Sequence, residues 1–497
     1  MLSNKYLFFS PFRIGSVSFE VVFDMILKII ESDDNNEVTV LTCNGFLKNC
    51  SSNMEGSKLK CQLCSMSSNY LFEKYEHKRI KIIDLGNYTK KINKNKPYFT
   101  YNSFDDLKKI KYKGINIGMG VVSSFVSYSR DLNFDSNNFR LKTINNLLLS
   151  SCKLIDILDI LPMDYKNYQI KIFNGRLSEL RSFFNYFGGK VNTIEYIHTK
   201  IKNQVRRVEF ESALPHSIEE NTRRNNLNWN NYSNEDRIEI AKDFFDRKLS
   251  NTSFQDSNYT KNQEKHKLPE NFDDRKVNIS YFISSEDEVF AVGGRWDEDK
   301  LFKKQIDFLD FWISNFKNKH NYQLYVRMHP NLKGLNFNYV TDYYNYNIQN
   351  ITILKPTSSV SSYELMFKSQ SIIVSSSSIG FEANYFGIPS IQIGASWYSD
   401  LNISHKPRTL DELKIMIENR FLKPLDKIDS MKMALYLASP PSEKLHKLKD
   451  ISYVKKFYRF NILNSYNFPL YYSWFNILFR LLSIKSLIFK IRLNKLK

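Results

Sequence analysis

The sequence predicts an α/β protein that contains two doubly wound domains. The chain opens with a strand, a loop, a helix and a second strand, which are predicted at Lys5–Ser10, Pro11–Ser18, Phe19–Ser32 and Glu37–Thr42. A second α/β alternation begins at Lys276–Ile283, after a polar segment, Glu219–Arg275. Short apolar runs that alternate with helix-length amphipathic runs are typical of parallel sheets covered by helices.

The first half of the chain continues this alternation. Strands are predicted at Ile80–Leu85, Ile115–Val122, Tyr168–Phe173, Val191–Tyr196 and Arg207–Glu211, and helices at Asn138–Ile160 and Leu177–Phe187. The small residues Gly118-Met119-Gly120, followed by Ser123 and Ser124, predict a turn where a substrate approaches the backbone. Asn174 and Arg176 follow a strand, at the edge where open α/β sheets place their ligands. The alternative is an ordinary turn with a surface arginine.

Four of the five cysteines lie close together in the sequence, directly after the second strand. They are Cys43, Cys50, Cys61 and Cys64, and the last two form a C-x-x-C pair. Clustered cysteines in a reducing compartment indicate metal or redox chemistry before structural disulfides. Three interpretations stay open, namely a structural zinc site, an iron–sulfur cluster and unligated loop cysteines. Cys152 is predicted to be a buried apolar residue.

Composition indicates a globular protein with an anionic partner. The chain has 497 residues, of which 42% are hydrophobic, and a formal net charge of +19. Such a charge suits nucleic acid, an anionic membrane face or phosphorylated substrates. No secretory signal is recognised at the start, and no run of about 20 apolar residues is found. The expectation is a cytoplasmic protein that associates peripherally with the cytoplasmic membrane.

The second half carries the most informative motif, Ser371–Gly394. A buried strand, Ser371–Val374, leads into four serines, and a helix follows at Ile379–Phe386. The four serines are Ser375, Ser376, Ser377 and Ser378. Backbone N–H groups at a helix start, together with serine hydroxyls, predict a phosphate site. The simpler interpretation is that Ser378 only caps the helix.

Three further residues are predicted to belong to the same site. Glu382 is out of register for a capping box, so its carboxylate is predicted to be available to ribose hydroxyls, the alternative being a solvated helix glutamate. His329 follows a strand at Tyr322–Met328, and Arg327 lies two residues earlier on the same strand face. His329 and the serines therefore both follow strands of one predicted sheet and can face one crevice.

These motifs resemble those of bacterial capsule and surface-polysaccharide glycosyltransferases. The resemblance is carried by R-x-H-P at Arg327–Pro330, S-S-S-S-I-G-F-E at Ser375–Glu382 and G-I-P at Gly387–Pro389. The His-Pro and serine motifs are also similar to those of the bacterial sialyltransferases and the capsular Kdo transferases. The T-C-N-G segment with its cysteines, N-G-R at Asn174–Arg176 and F-I-S-S-E-D-E at Phe282–Glu288 also resemble a surface-polysaccharide biosynthesis family.

The resemblance implies a GT-B fold, in which two Rossmann-like domains face each other across a cleft. It implies that the C-terminal domain binds a nucleotide-sugar donor, with a CMP-sugar favoured, and that the N-terminal domain binds a glycan or lipid-linked acceptor. In the sialyltransferase-like groups the histidine of the His-Pro motif contacts the donor phosphate, and the resemblance implies the same role for His329. The implied donor-binding residues are Arg327, His329, Ser284, Ser285, Ser375, Ser376, Ser377, Ser378 and Glu382, and the implied acceptor-side residues are Asn174 and Arg176. No catalytic metal is expected, because no D-x-D motif follows a strand here.

The predicted reaction is transfer of a sugar from a nucleotide-activated donor to a hydroxyl of a growing glycan, and it needs a general base. The base stays open among Glu20, Asp131, Glu195 and His216. One alternative is a polyol-phosphate transferase of the same fold that uses a cytidine nucleotide. A second alternative, a basic nucleic-acid-binding protein, would need basic residues interleaved with exposed aromatics, and these occur only at the C-terminus.

The predicted domain boundaries follow from these motifs. They are an N-terminal acceptor domain over 1–220 with a Cys-rich insertion at 43–64, a polar interdomain segment over 221–275, a nucleotide-sugar-binding domain over 276–430, and basic C-terminal helices over 431–497. Ile451–Lys497 contains nine Lys and Arg residues and no Asp or Glu, with aromatic residues between them. Two outcomes stay open for this segment: docking at an anionic inner-membrane surface, and crossing back onto the N-terminal domain.

Overall fold

The computed structural model describes residues 4–13, 16–65, 79–92, 96–198, 204–250, 260–438, 446–447 and 484–494. The chain divides into two compact units. Unit 1 comprises Met1–Pro215 together with Glu443–Lys497, and unit 2 comprises His216–Ser442. Each contains a mainly parallel sheet with covering helices, so the predicted α/β class is confirmed.

Unit 1 is built on a seven-stranded sheet. Its strands are β1 (Lys5–Ser10), β2 (Glu37–Thr42), β3 (Ile80–Asp84), β6 (Tyr168–Phe173), β7 (Asn192–His198), β8 (Gln204–Phe210) and β14 (His446–Lys447), and a separate hairpin pairs β4 (Lys111–Tyr112) with β5 (Ile115–Asn116). The order is β14-β8-β7-β6-β1-β2-β3, and the five strands from β7 to β3 are parallel. Because β1 lies between two parallel neighbours, its Leu7, Phe8 and Phe9 are fully buried.

The helices of unit 1 cover this sheet. They are α1 (Val17–Ser32), α2 (58–65), α3 (Phe104–Lys108), α4 (Gly118–Ser129), α5 (Asn138–Ile160) and α6 (Ser178–Tyr186). Ser16 caps α1 by accepting a hydrogen bond from the N–H of Phe19 at 3.2 Å. The core contains the apolar faces of α1, α5 and α6 packed on β1, β2 and β6.

The strand predicted at Ile115–Val122 is wrong beyond its first residues. Only Ile115–Asn116 is extended, and Gly118 begins α4. A Cβ on Gly118 would lie 1.7 Å from the Leu107 carbonyl oxygen, and one on Gly120 would lie 2.7 Å from Arg181 Cβ. These glycines therefore permit close packing of α4 on its neighbours and do not form a turn that receives a substrate.

Unit 2 is built on a five-stranded parallel sheet in the order β11-β10-β9-β12-β13. The strands are β9 (Val277–Phe282), β10 (Tyr322–Arg327), β11 (Ile351–Leu354), β12 (Ser371–Val374) and β13 (Ser390–Gln392). The helices are α7 (Ile218–Asn230), α8 (Asn234–Leu249), α9 (Glu286–Val289), α10 (Arg295–Glu298), α11 (Asp307–Phe316), α12 (Asn338–Thr341), α13 (Ser362–Phe367), α14 (Ile379–Tyr385), α15 (Leu410–Glu418) and α16 (Ile428–Ala438).

The polar segment predicted over 221–275 does not simply link two domains. It contains most of α7 and all of α8, and both helices belong to unit 2. Trp229, Phe244 and Phe245 are buried against α14 and α16. The polar composition of α7 and α8 hid these few apolar anchors, which are sufficient to pack the helices.

The C-terminal part of unit 1 contains a last described helix, α17, over 484–494. Its Phe489 ring lies 5.0 Å from the Phe139 ring, and Arg140 Nε donates a hydrogen bond to the Leu493 carbonyl at 3.0 Å. The part of 451–497 that precedes α17 lies outside the described residues. No helix within the described ranges is long and apolar enough to cross a membrane.

Candidate functional site

The candidate site of unit 2 lies where the strand order of its sheet reverses. β9 and β12 are neighbours, and the chain reaches β10 and β11 on one side but β13 on the other. In open α/β sheets, this switch point opens a crevice outside the carboxyl ends of the two strands. The loops at that edge are Ile283–Ser285 after β9 and Ser375–Ser378 after β12.

The four serines do not face one ligand together, as the sequence had suggested. Ser377 and Ser378 line the cavity that contains His329, whereas Ser375 and Ser376 line a second cavity with Glu286. Ser376 is turned towards the β9 loop, where its hydroxyl donates a hydrogen bond to Ser284 Oγ at 2.8 Å.

The other serine predicted for donor binding has a structural partner. The buried Ser285 hydroxyl donates a hydrogen bond to Asp287 Oδ1 at 2.7 Å. Ser285 does not line the cavity of His329, whereas Ser284 reaches the serine loop through Ser376.

Ser378 occupies the N-cap position of α14 but makes no side-chain cap hydrogen bond. Its hydroxyl instead donates to Glu382 Oε1 at 3.0 Å, one helical turn later. Glu382 Oε2 accepts a hydrogen bond from the Tyr363 hydroxyl at 2.5 Å, and Lys248 Nζ lies 3.9 Å from Oε1. Both carboxylate oxygens of Glu382 thus have protein partners, while the residue still lines the cavity, and its contact with ribose hydroxyls stays a prediction. Glu382 also orients Ser378.

Arg327 is the most unusual residue of the cavity. Its side chain is 4% exposed, and its Nη2 donates to the Ser358 carbonyl at 3.2 Å. The Nε and Nη1 atoms are buried, and among the described residues they have no hydrogen-bond partner and no carboxylate forms an ion pair with this guanidinium. Burial lowers the pKa of Arg327 to about 10. A buried cation without a counterion is costly, so this one is suited to binding an anion from outside the protein.

His329 lies beside Arg327 and lines the same cavity. It is the residue before the short 3₁₀ turn Pro330–Leu332, and its Nδ1 accepts a hydrogen bond from the Asn331 N–H at 3.1 Å. An Nδ1 that accepts in this way carries no proton, so the proton is on Nε2. The half-buried imidazole is then a neutral hydrogen-bond donor through Nε2.

The cavity has a volume of about 100 Å³ and is open to solvent. Most of its polar groups are donors suited to a phosphate. It is lined by Lys248, Thr260, Gln263, Phe282, Ile283, Arg327, Met328, His329, Pro330, Ser362, Tyr363, Ser377, Ser378, Ile379 and Glu382.

Lys248 and Tyr363 were not identified from the sequence. Lys248 lies in α8, within the segment predicted to link the domains, and α8 is polar enough that nothing in the sequence indicated its position beside α14.

Unit 1 has its own switch point, between β1 and β6. Asn174 and Arg176 follow β6 directly, as predicted for acceptor-side residues. Asn174 has a positive φ of 57° and donates a hydrogen bond to the Glu195 carboxylate. Arg176 Nε donates to Ser123 Oγ at 2.8 Å. Glu195 lies in β7, and burial raises its pKa.

The structure separates the predicted candidates for the general base. Asp131 is fully buried and forms an ion pair with Arg140 at 2.5 Å, so it has a structural role and is not available as a base. His216 was assigned to the N-terminal domain, but it belongs to unit 2, where its carbonyl accepts a hydrogen bond from Trp296 Nε1 at 2.7 Å. Glu20 lies in α1, and its side chain is outside the described part of the structure.

The four clustered cysteines line one cavity of unit 1, beside the carboxyl ends of β1 and β2. Asn53 Nδ2 donates a hydrogen bond to Cys61 Sγ at 3.1 Å, and burial raises the pKa of Cys43, Cys50 and Cys61. Among the described residues, no three His, Cys, Asp or Glu side chains are grouped so as to hold a metal ion. The structure thus places Cys43, Cys50, Cys61 and Cys64 around one cavity, and all four are free cysteines.

Comparison with known proteins gives weak structural similarities. No protein-family model matches the chain, and no curated protein matches it. The Thermosulfurimonas dismutans protein KpsC, a β-Kdo 2,4 transferase, aligns with a TM-score of 0.34 and 10% identity over 55% of this chain and 81% of that one. The wall teichoic acid polymerase TagF aligns with a TM-score of 0.21 and 13% identity over 94% and 91%.

A third solved structure is similar at the same low level. The UDP-GlcNAc 2-epimerase of Methanocaldococcus jannaschii aligns with a TM-score of 0.22 and 10% identity over 88% of this chain and 99% of that one. At these identities and TM-scores the similarities identify no activity.

Proposed function

We propose that this protein is a glycosyltransferase that moves a sugar from a nucleotide-activated donor to a hydroxyl of a growing surface polysaccharide or lipid-linked glycan. Unit 2 binds the donor nucleotide, with a CMP-sugar as the favoured donor. Unit 1 supplies the acceptor-side residues Asn174 and Arg176. One observation carries the proposal: two nitrogens of the buried Arg327 guanidinium have no hydrogen-bond partner among the described residues, in a cavity at the switch point of the sheet.

The groups around Arg327 are suited to a phosphate that becomes a leaving group. During transfer, the bond between the anomeric carbon and the donor phosphate oxygen breaks, and the phosphate leaves with the electron pair. Arg327 and the Nε2–H of His329 stabilise the added charge, and the hydroxyl of Ser377 contributes a further donor. In this proposal, side chains and not a divalent ion stabilise the leaving phosphate.

The acceptor hydroxyl forms the new bond to the anomeric carbon and gives its proton to a base. Glu195 is the candidate best supported by its surroundings, because it lies beside Asn174 at the switch point of unit 1 and burial raises its pKa. A carboxylate with a raised pKa is a better proton acceptor than an ordinary one.

A transfer assay tests the proposal. Purified protein is supplied with CMP-, UDP- or GDP-sugars and an oligosaccharide acceptor, and the product linkage is determined by mass spectrometry. We expect a glycosidic product from the wild type and none from His329→Ala, whose fold is checked by circular dichroism. A phosphodiester product formed from a CDP-polyol would favour the alternative transferase, and near wild-type transfer by His329→Ala would remove His329 from the site.

A further inference from the structure

The helix α17 has two unlike faces, and one of them is anchored on unit 1. The Tyr128 hydroxyl donates a hydrogen bond to the Ser486 carbonyl at 2.9 Å, and Asn494 Nδ2 donates to the Ser129 carbonyl at 3.1 Å. Leu493 is buried, with 1% of its surface exposed. These contacts fix the rotation of the helix about its own axis.

The opposite face is apolar and exposed. Ile484, Leu487, Ile488 and Ile491 are 54%, 57%, 58% and 42% exposed. Their spacing of three, one and three residues places them in a single stripe along the helix. Four large aliphatic side chains in one exposed stripe are more than the scattered apolar residues of an ordinary surface, and they mark a contact with an apolar partner.

Positive charge borders this stripe. On a helix of 3.6 residues per turn, Lys485 and Arg492 fall on the same side of the stripe, next to Ile488. Both are exposed. The surrounding sequence, Ile451–Lys497, contains nine cations and no acidic residue. These two cations therefore lie along the edge of the apolar stripe.

We propose that this face of α17 docks unit 1 on an anionic membrane surface. The four aliphatic side chains enter the boundary between headgroups and acyl chains, and Lys485 and Arg492 contact the anionic headgroups. A second copy of the chain is a poorer partner, because pairing two such faces would bring like charges together. The proposal rests on the proposed function in one respect, because a lipid-linked acceptor gives the enzyme a reason to bind a membrane. Vesicle binding itself can be measured without any sugar transfer.

The test is flotation of the full-length protein with vesicles of phosphatidylcholine alone or mixed with phosphatidylglycerol. We expect binding to the anionic vesicles at low salt, weaker binding at high salt and little binding to phosphatidylcholine. Leu487→Ser combined with Ile488→Ser should reduce binding at least about tenfold, because two aliphatic side chains that enter the membrane in this proposal are lost. The matched control is Leu410→Ser combined with Ile415→Ser, which changes exposed aliphatic residues of α15.

Thermal unfolding should be the same for both double variants and the wild type, because all four side chains point to solvent. Undiminished vesicle binding by the Leu487→Ser, Ile488→Ser variant would overturn the proposal. So would a wild-type dimer in the absence of vesicles that becomes monomeric in this variant. The nucleotide-induced shift in melting temperature is measured on the same samples. If that shift is absent while flotation persists, the proposed function fails and the docking stands.

Discussion

Ser284 Oγ accepts hydrogen bonds from both the N–H and the hydroxyl of Ser376, at 3.2 and 2.8 Å, and so joins the loops that follow β9 and β12. Ser284 is itself held, because its N–H donates to Gln305 Oε1 at 2.8 Å. The next two serines are thereby positioned in the cavity that contains His329. A site whose donors are fixed before the ligand arrives loses little conformational entropy on binding.

The first prediction concerns these two serines. Replacing both Ser377 and Ser378 by alanine should weaken nucleotide binding by about 1–3 kcal/mol, because the Ser377 hydroxyl is lost as a donor to a charged phosphate and Glu382 loses the Ser378 hydroxyl that it holds. Isothermal titration calorimetry with the nucleotide that binds best measures the change. Ser314→Ala, at an exposed position of α11, is the control and should bind as the wild type does. Unchanged affinity in the double variant would return Ser377 and Ser378 to a purely structural role.

The second prediction concerns the general base. Because burial raises the pKa of Glu195, kcat/KM should fall on the acidic side at a higher pH than an ordinary glutamate would give. Glu195→Gln should lose most of the activity and also this acidic limb, while donor binding is retained. A Glu195→Gln profile that keeps both the rate and the acidic limb of the wild type would exclude Glu195.

The third prediction concerns stability and pH in unit 2. Burial raises the pKa of Glu286 from 4.5 to about 7, so the native state holds a proton that the unfolded chain has released. The stability that this proton provides is complete below pH 4.5 and is lost as the pH rises through about 7. Glu286→Gln mimics the neutral acid, and at about pH 8.5 it should exceed the wild type in free energy of unfolding by about 1–3 kcal/mol.

Urea unfolding at about pH 5 and about pH 8.5 checks this third prediction, and the gain should be much smaller at the lower pH. Glu270→Gln, at an exposed position, should show little change at either pH. A Glu286→Gln variant that is less stable than the wild type at the higher pH would show that the carboxylate is needed in its charged form.

The fourth prediction keeps the zinc hypothesis for Cys43, Cys50, Cys61 and Cys64. Elemental analysis should find about one zinc per chain, because the four thiols line one cavity and a cation bound there would ionise them. Cys61→Ser combined with Cys64→Ser should lose the metal, and Cys152→Ser, in the buried face of α5, should keep it. Wild-type protein with neither zinc nor iron would leave the four as buried thiols.

Much of the fold was predictable because a strand that has a neighbouring strand on each side of it in a parallel sheet is buried, and its sequence is therefore a short apolar run. Leu7–Phe9 in β1 and Ile372–Val374 in β12 are fully buried and were recognised from composition alone. The start of α4 was missed because glycine at 118 and 120 looks like a turn in sequence but serves close helix packing in space.

The site was predictable where its residues follow strands, and less so where distant segments meet. His329 and Arg327 were found because a polar pair ends an apolar strand. The partners of Glu382, Tyr363 and Lys248, were not found from the sequence. They belong to α13 and α8, and sequence spacing does not show which helices pack together. Ser376 and Ser377 line different cavities because Ser376 is hydrogen-bonded to Ser284, and no local sequence pattern reveals those hydrogen bonds.

The most direct test is the change in melting temperature that CMP, CDP, UDP and GDP produce in the wild type and in Arg327→Met. At 100 times its dissociation constant, a nucleotide should stabilise the wild type by about 2.7 kcal/mol, with CMP expected among the ligands that bind. Arg327→Met should lose this shift, yet without ligand it should be as stable as the wild type or more so, because a buried unpaired charge is removed. Arg420→Met, at an exposed position, should keep the shift. An Arg327→Met variant that keeps the full shift, or a wild type that none of the four nucleotides stabilises, would contradict the proposed donor site.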